Sequence, residues 1–191
     1  MSNDRPGLTT TTTLSQLTGD YLVDPAATRV GFAVRQAVFT TVRGRFTQFT
    51  GGARLDGDDP ARSSARLTIQ AGSIQTSSGR RDDHLRRAFL DTRNHPAITF
   101  TSTGVEQLSE TTVTVTGDLT IRGATKPLTV DFALTGAGYD RHGSFRVGLH
   151  GTVIIDRRDW GVSWNAVLEG GGVLVGQKVT LEFDVAAVRS S

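Results

Sequence analysis

Cysteine is absent from this chain of 191 residues. Disulfides, thiolate metal sites and a cysteine nucleophile are therefore excluded. Lysine is almost absent too. Only Lys126 and Lys178 occur, so arginine carries nearly all of the positive charge. Arginine suits two-pronged contact with carboxylate or phosphate, although a genome-wide composition bias gives the same excess. Opposite charges nearly balance, at a formal net +2. No segment approaches the roughly 20 apolar residues that cross a bilayer as a helix. The opening MSNDRPGLTTTTTLSQLTG has no apolar core of a secretory signal. Residues 1–18 read as a disordered leader before a single domain over 19–191, and the chain is expected to be soluble and cytoplasmic.

What the chain does have is alternation. Val30, Phe32 and Val34 share one face of a strand, as do Ala65, Leu67 and Ile69. Val113, Val115, Gly117, Leu119 and Ile121 alternate with Thr112, Thr114, Thr116, Asp118 and Thr120. Leu128, Val130, Phe132 and Leu134 follow, then Phe145, Val147, Leu149, Gly151, Val153 and Ile155. Val179, Leu181, Phe183 and Val185 form the last such face. Turn signals separate these runs, at 56–60, 122–127, 136–143 and 170–172. The pattern gives about eight to ten strands, mostly joined by hairpins. Long strands with one apolar face leave two architectures, a sandwich or a closed barrel, and closure removes unpaired edges. Phenylalanines on these faces fill a core or line a lumen. Gly117 and Gly151 interrupt two of the faces, either at a bend or where room is needed.

One stretch breaks the alternation. In GRRDDHLRRAFLDTRNHPAITF, residues 79–100, Leu85, Phe89 and Leu90 recur at helical spacing among charges. Asp82 and Asp83 fit the first turn of that helix, where the dipole favours an anion. A catalytic use of Asp82 beside His84 is the other reading.

Nucleotide and metal motifs are missing. There is no phosphate-binding P-loop, and the Gly136-Ala-Gly138 segment has Arg141 where the dinucleotide fingerprint needs glycine or alanine. His84, His95, His142 and His150 lack metal-ligand spacing. No catalytic serine elbow occurs. Acidic residues interleave with every arginine cluster, which argues against a nucleic-acid partner. The segment IDRRDWGVSWN, residues 155–165, carries both tryptophans. Trp160 and Trp164 serve there as a rim lid or as a plug.

Four ordered blocks resemble the YceI-like family of polyisoprenoid-binding proteins, with the resemblance running from about Tyr21 to Val188. The blocks are YLVDPAATRVGFAVR with TVRGRF, the stretch from Ser73 to Phe100, GDLTIRGATKPLTV from Gly117, and IDRRDWGVSWN. Gln36 stands where the family commonly has histidine, and Asp156 where it commonly has asparagine. The resemblance implies an all-β, lipocalin-like, up-and-down antiparallel barrel of about eight strands, with one helical insertion near residues 80–92. It implies a long isoprenoid lipid, of polyprenyl diphosphate or quinone type, bound inside for storage or transport. The tail would lie against Phe32, Val34, Phe46, Ile69, Phe100, Leu119 and Ile121, and against Phe132, Leu134, Phe145, Val147, Trp160 and Trp164. The head group would meet Arg80, Arg81, Asp82, His84, Asn94 and Arg157 at the rim. No metal or cofactor is required, and a homodimer is plausible by resemblance. Burying one five-carbon unit contributes up to ~3–4 kcal/mol by transfer. The alternative is an isomerase or cyclase on the same barrel, with His84 and Asp82 as acid and base. A polar pair facing the lumen would favour catalysis, and a wholly apolar lining would favour carriage.

Overall fold

The structure is a computed structural model that describes residues 12–37, 39–166 and 174–191. Its strand segments are β1 (Gly19–Val23), β2 (Arg29–Gln36), β3 (Thr40–Phe46), β4 (Phe49–Leu55), β5 (Ser64–Gln70) and β6 (Ile74–Gln75). They continue with β7 (Ala97–Gln107), β8 (Thr112–Ile121), β9 (Ala124–Tyr139), β10 (Phe145–Asp156) and β11 (Val175–Arg189). Antiparallel neighbours run in the order β1-β4-β5-β7-β8-β9-β10-β11, and β11 pairs back with β1. The sheet therefore closes on itself and leaves no edge along that ring.

β2, β3 and β6 extend strands already in the ring. β1 and β2 both lie against β11, through Leu22↔Val188 and Phe32↔Leu181. β3 likewise leads into β4, and β5 into β6. The expected eight-stranded meander is thus present, with three neighbouring strands bent. The bends fall at residues 24–28, 47–48 and 71–73. Side-chain oxygens replace the broken ladder bonds there. Ser73 Oγ accepts from the Thr47 and Gln48 amides at 3.2 and 3.1 Å and donates to the Gln70 carbonyl at 2.7 Å. Thr28 Oγ1 accepts from the Ala186 amide at 3.0 Å and donates to the Ala186 carbonyl at 3.1 Å.

Alternation in sequence becomes alternation across the wall. Along β8, Val115, Gly117 and Leu119 are buried while Asp118 between them is exposed. The β8–β9 turn is tight because Arg122 and Gly123 both take positive φ, 50° and 75°, which suits a two-residue hairpin.

The helical insertion is α1 (Gly79–His84), capped by Ser78, whose Oγ accepts from the Arg81 amide at 3.3 Å. The next turn, Leu85–Phe89, widens to π geometry, and the Leu90 amide donates to the Leu85 carbonyl at 2.9 Å. Phe89 and Leu90 are buried against the barrel core, and Leu85 packs onto it. This end of the barrel is called the helix end below.

Residues 1–11 of the expected leader lie outside the described residues. Its last part differs from the expectation. Leu14–Gln16 forms a 3-10 turn across the far end of the barrel, and Leu17 has no exposed surface. Leu17 packs with Tyr21, Val147 and Ala187. Apolar burial of Leu14 and Leu17 overrides the polar composition around them.

Candidate functional site

The inward faces of all eight strands surround an apolar cavity of about 320 Å³. That volume falls within the range of small-molecule pockets. The cavity extends from Val162 and Arg157 at the helix end to Asp56, Pro60 and Gln107 at the far end. Apolar side chains make up nearly all of its wall.

Glycine placement explains why so many rings leave a lumen open. A Cβ on Gly44 would stand 2.3 Å from Phe32 Cζ, on Gly117 2.5 Å from Phe100 Cζ, and on Gly151 2.8 Å from Phe132 Cδ1. Each ring therefore occupies the place of a neighbouring strand's missing side chain and lies along the wall. The room that Gly117 and Gly151 provide is taken by phenylalanine. Phe32 also meets Phe46, and Phe132 meets Phe183, each with centroids 6.0 Å apart.

The helix end is organised by Arg157. Asp156 caps the Arg157–Trp160 turn by accepting from the Arg158 amide at 3.0 Å, and the Arg158 side chain holds the Asp156 carboxyl well below the usual carboxylate range. The turn directs Arg157 inward, where it is 5% exposed. Its Nε donates to the Gly176 carbonyl at 2.8 Å. Nη1 donates to the carbonyls of Val162 and Trp164 at 2.6 and 3.0 Å, and Nη2 to that of Val175 at 3.2 Å. The guanidinium carbon lies 5.4 Å from the Phe89 ring centroid. Burial pushes the Arg157 pKa down, with the Asp156 charge opposing, but a guanidinium stays charged at working pH. Arg157 thus ties the 162–164 segment to β11 and borders the cavity.

Of the thirteen side chains expected on the wall, nine border the cavity. They are Phe32, Val34, Phe46, Ile69 and Phe100, together with Leu119, Ile121, Phe132 and Val147. Four do not. Leu134 and Phe145 pack into the far-end cluster around Leu17. Phe145 also lies under the Arg189 guanidinium, 4.1 Å from its centroid, and beside Tyr139. β10 runs past the lumen at Phe145, whereas Leu134 lies level with Leu149 on the wall but packs into the far-end cluster instead. Trp160 is buried as a plug, and its indole Nε1 donates to the Leu119 carbonyl at 2.8 Å. Trp164 packs edge-on to His84 at 4.4 Å and against Phe89 at 5.2 Å.

The expected rim residues do not gather around the cavity. Only Arg157 borders it. Asp82 Oδ1 accepts from the Thr76 amide at 2.8 Å and hydroxyl at 2.6 Å, so the carboxylate fixes the chain entering α1. Asp82 also borders a polar hollow beside the strand bends, with Gln48, Gln70 and Arg86. Arg81 Nε and Nη2 donate to Thr76 and Ser77. Asn94 donates to the Asp91 carboxylate, and Arg80 is exposed. His84 and Asp82 form no acid–base pair at the lumen. Their side chains meet different partners.

Several wall residues were not expected in that role. Val179, Leu181 and Phe183 were legible as one apolar strand face. Leu85, Phe89 and Leu90 had a helical period, but nothing in the sequence showed that the helix would cover the lumen. Among the described residues, no group of three or more His, Asp or Glu side chains is placed to hold a metal ion.

A closed meander of antiparallel strands around an apolar lumen, lidded by one helical turn, is a lipocalin-type barrel. Comparison with known proteins gives the particular branch. Residues 21–187 match the YceI-like domain, and the chain belongs to the YceI-like family. It is 32% identical over 150 residues to a UPF0312 protein of Ectopseudomonas mendocina, covering 77% of this chain and 78% of that one. A UPF0312 protein of Shewanella baltica is 34% identical over 146 residues, covering 75% and 76% of the two chains. Among solved structures, Burkholderia cenocepacia BcnA superposes with a TM-score of 0.75 at 23% identity, over 86% of this chain and 98% of that one. A polyisoprenoid-binding domain from Saccharophagus degradans gives 0.68 at 15% identity, over 89% and 98%.

Proposed function

We propose that the protein binds a long apolar isoprenoid lipid, of polyprenyl diphosphate or quinone type, and stores or carries it in the barrel lumen. The observation that carries this reading is the apolar wall, kept open by rings lying over glycines. An isoprenoid tail has no hydrogen-bonding groups, so such a wall satisfies it without an unpaired polar atom on either side. Transfer of each five-carbon unit contributes up to ~3–4 kcal/mol, offset by ordering of the chain and capped well below the sum. The polyisoprenoid-binding neighbour from Saccharophagus degradans supports the same ligand class.

The catalytic alternative finds little support, because His84 packs on Trp164 and Phe89 while Asp82 is engaged by Thr76. Among the described residues two cations border the lumen, Arg157 at the helix end and Arg66 toward the far end. Arg157 already donates to four backbone carbonyls, so it has little left to offer an anionic head, and the apolar tail is the main anchor.

Native mass spectrometry of the purified protein, with and without added polyprenyl lipid, tests this. A lipid of stoichiometric mass is expected in the wild type. Val130→Trp, which adds bulk inside the lumen, should lose it while keeping its β-sheet circular dichroism. His84→Ala should keep it. A wild type that takes up no polyprenyl lipid sinks the reading. The same spectra report whether the chain is a monomer or a homodimer.

A further inference from the structure

We propose that the helix end of the barrel docks on an anionic lipid surface, with Phe39 entering the bilayer interface. The inference rests on the reading of the lumen as a lipid site, and adds where that lipid is collected and delivered.

Phe39 stands at the tip of the β2–β3 hairpin and is 97% exposed, more than any other large apolar side chain among the described residues. The hairpin is held in place. Ala37 takes φ of 54°, in the left-handed region that disfavours a side chain, and its amide donates to the Leu174 carbonyl at 2.7 Å. The turn therefore holds an aromatic ring out in solvent, where it is free to meet a partner without rearrangement of the barrel. The hairpin also adjoins the lumen. Val34 on β2 and Val175, which pairs with Gln36, both border the cavity.

Charge along the barrel axis agrees with this orientation. Arg35, Arg80, Arg87, Arg93 and Lys126 are exposed at the helix end, and none has a carboxylate within 4.0 Å among the described residues. Asp83 and Asp156 there are already bound to Arg86 and Arg158, which leaves Asp91, Asp118 and Asp159 in opposition. At the far end the exposed groups without an ion pair are mainly acidic, namely Asp58, Asp59, Glu106 and Glu110, with Arg66 and Arg141 among them. An anionic surface would therefore attract one end and repel the other. One aromatic ring and a few arginines give weak, reversible attachment, as a carrier that must leave again requires.

Co-sedimentation of the full chain with vesicles tests the proposal. One set contains phosphatidylcholine alone, the other an equimolar mixture with phosphatidylglycerol. The wild type is expected to sediment with the mixed vesicles, less so at high salt, and weakly with phosphatidylcholine. Phe39→Ser should lower the partition coefficient about tenfold. Arg80→Glu with Arg87→Glu should lower it about tenfold or more, on mixed vesicles only. Glu106→Gln with Glu110→Gln at the far end should not lower it. Equal binding by Phe39→Ser and wild type, or no binding of wild type to mixed vesicles, overturns the proposal. So does a self-association that Phe39→Ser abolishes without any vesicle binding, since that assigns the tip to a second copy. Lipid occupancy measured separately by native mass spectrometry distinguishes the two readings. Occupancy without vesicle binding removes docking alone, whereas vesicle binding without occupancy removes carriage.

Discussion

Arg157 at the helix end and Leu17 at the far end both close the barrel, by different physics. Arg157 brings a charge into the wall and satisfies it with four backbone carbonyls and the face of Phe89. Leu17 brings only apolar surface, and its backbone carbonyl receives the Tyr21 hydroxyl at 2.9 Å. A buried cation gives little net stability against a well-packed apolar side chain, because desolvation opposes every bond it makes. It does dictate where its acceptors must be. The helix end is therefore specified by directional bonds and the far end by volume.

Substitutions at each end separate these two modes of closure. Arg157→Met strands the carbonyls of Gly176, Val162 and Trp164, while that of Val175 keeps the Asn165 side-chain amide at 2.7 Å. The cost comes from those unsatisfied carbonyls and not from the lost charge; it should be about 3 kcal/mol and lower Tm by roughly 10 °C in a thermal melt followed by circular dichroism. Trp164, whose carbonyl Arg157 holds, should become more accessible to acrylamide quenching. Leu17→Ala should cost about 2–4 kcal/mol by loss of buried volume, with no change in tryptophan quenching. If the two ends close independently, the double variant should show the sum of both losses to within about 0.5 kcal/mol.

The wall between the ends gives a smaller effect of a third kind. Gly117→Ala places a methyl against the Phe100 ring and 2.5 Å from the Thr101 carbonyl oxygen. It should cost about 1–3 kcal/mol and push the ring into the lumen, so that lipid occupancy falls as well as Tm. A loss of stability with undiminished occupancy would show that the ring was never what kept the lumen open.

The smallest effect lies in acid, near the far end. The Arg146 guanidinium, assisted by the Ser144 amide, lowers the Asp140 pKa from 3.8 to about 2. The carboxylate is favoured in the folded protein, so its contribution is complete above pH 3.8. That contribution fades as the pH falls toward about 2. Arg146 likewise holds the Asp24 carboxyl below its usual range. Asp140→Asn should therefore flatten the fall of Tm over that acid window while leaving the helix end's quenching unchanged.

How much of this was legible varied by element. Period-two alternation predicted the strands, and β8 buries Val115, Gly117 and Leu119 as its spacing required. The turn signal at 122–127 corresponds to a real hairpin, since Arg122 and Gly123 supply the positive φ it needs. The three bends were not legible. Ser73 and Thr28 hold them through hydrogen bonds to residues distant in sequence. Strand faces identify most of the lining, but not the inward side chains that the far-end cluster takes, Leu134 and Phe145. The rim was read from charge, and charge alone did not distinguish Asp82, which fixes the entrance to α1, from a ligand contact.

The sequence by itself determined an antiparallel all-β chain with one face of each strand apolar, because alternation of side chains is a property of the extended backbone. It also determined the helical interruption, whose apolar residues recur at a different period. Only the tertiary structure decided which apolar residues meet a cavity and which meet one another. That choice depends on register, which sets Phe32 opposite Gly44 and Phe132 opposite Gly151. It also depends on closure, which brings Arg157 to carbonyls up to 19 residues away.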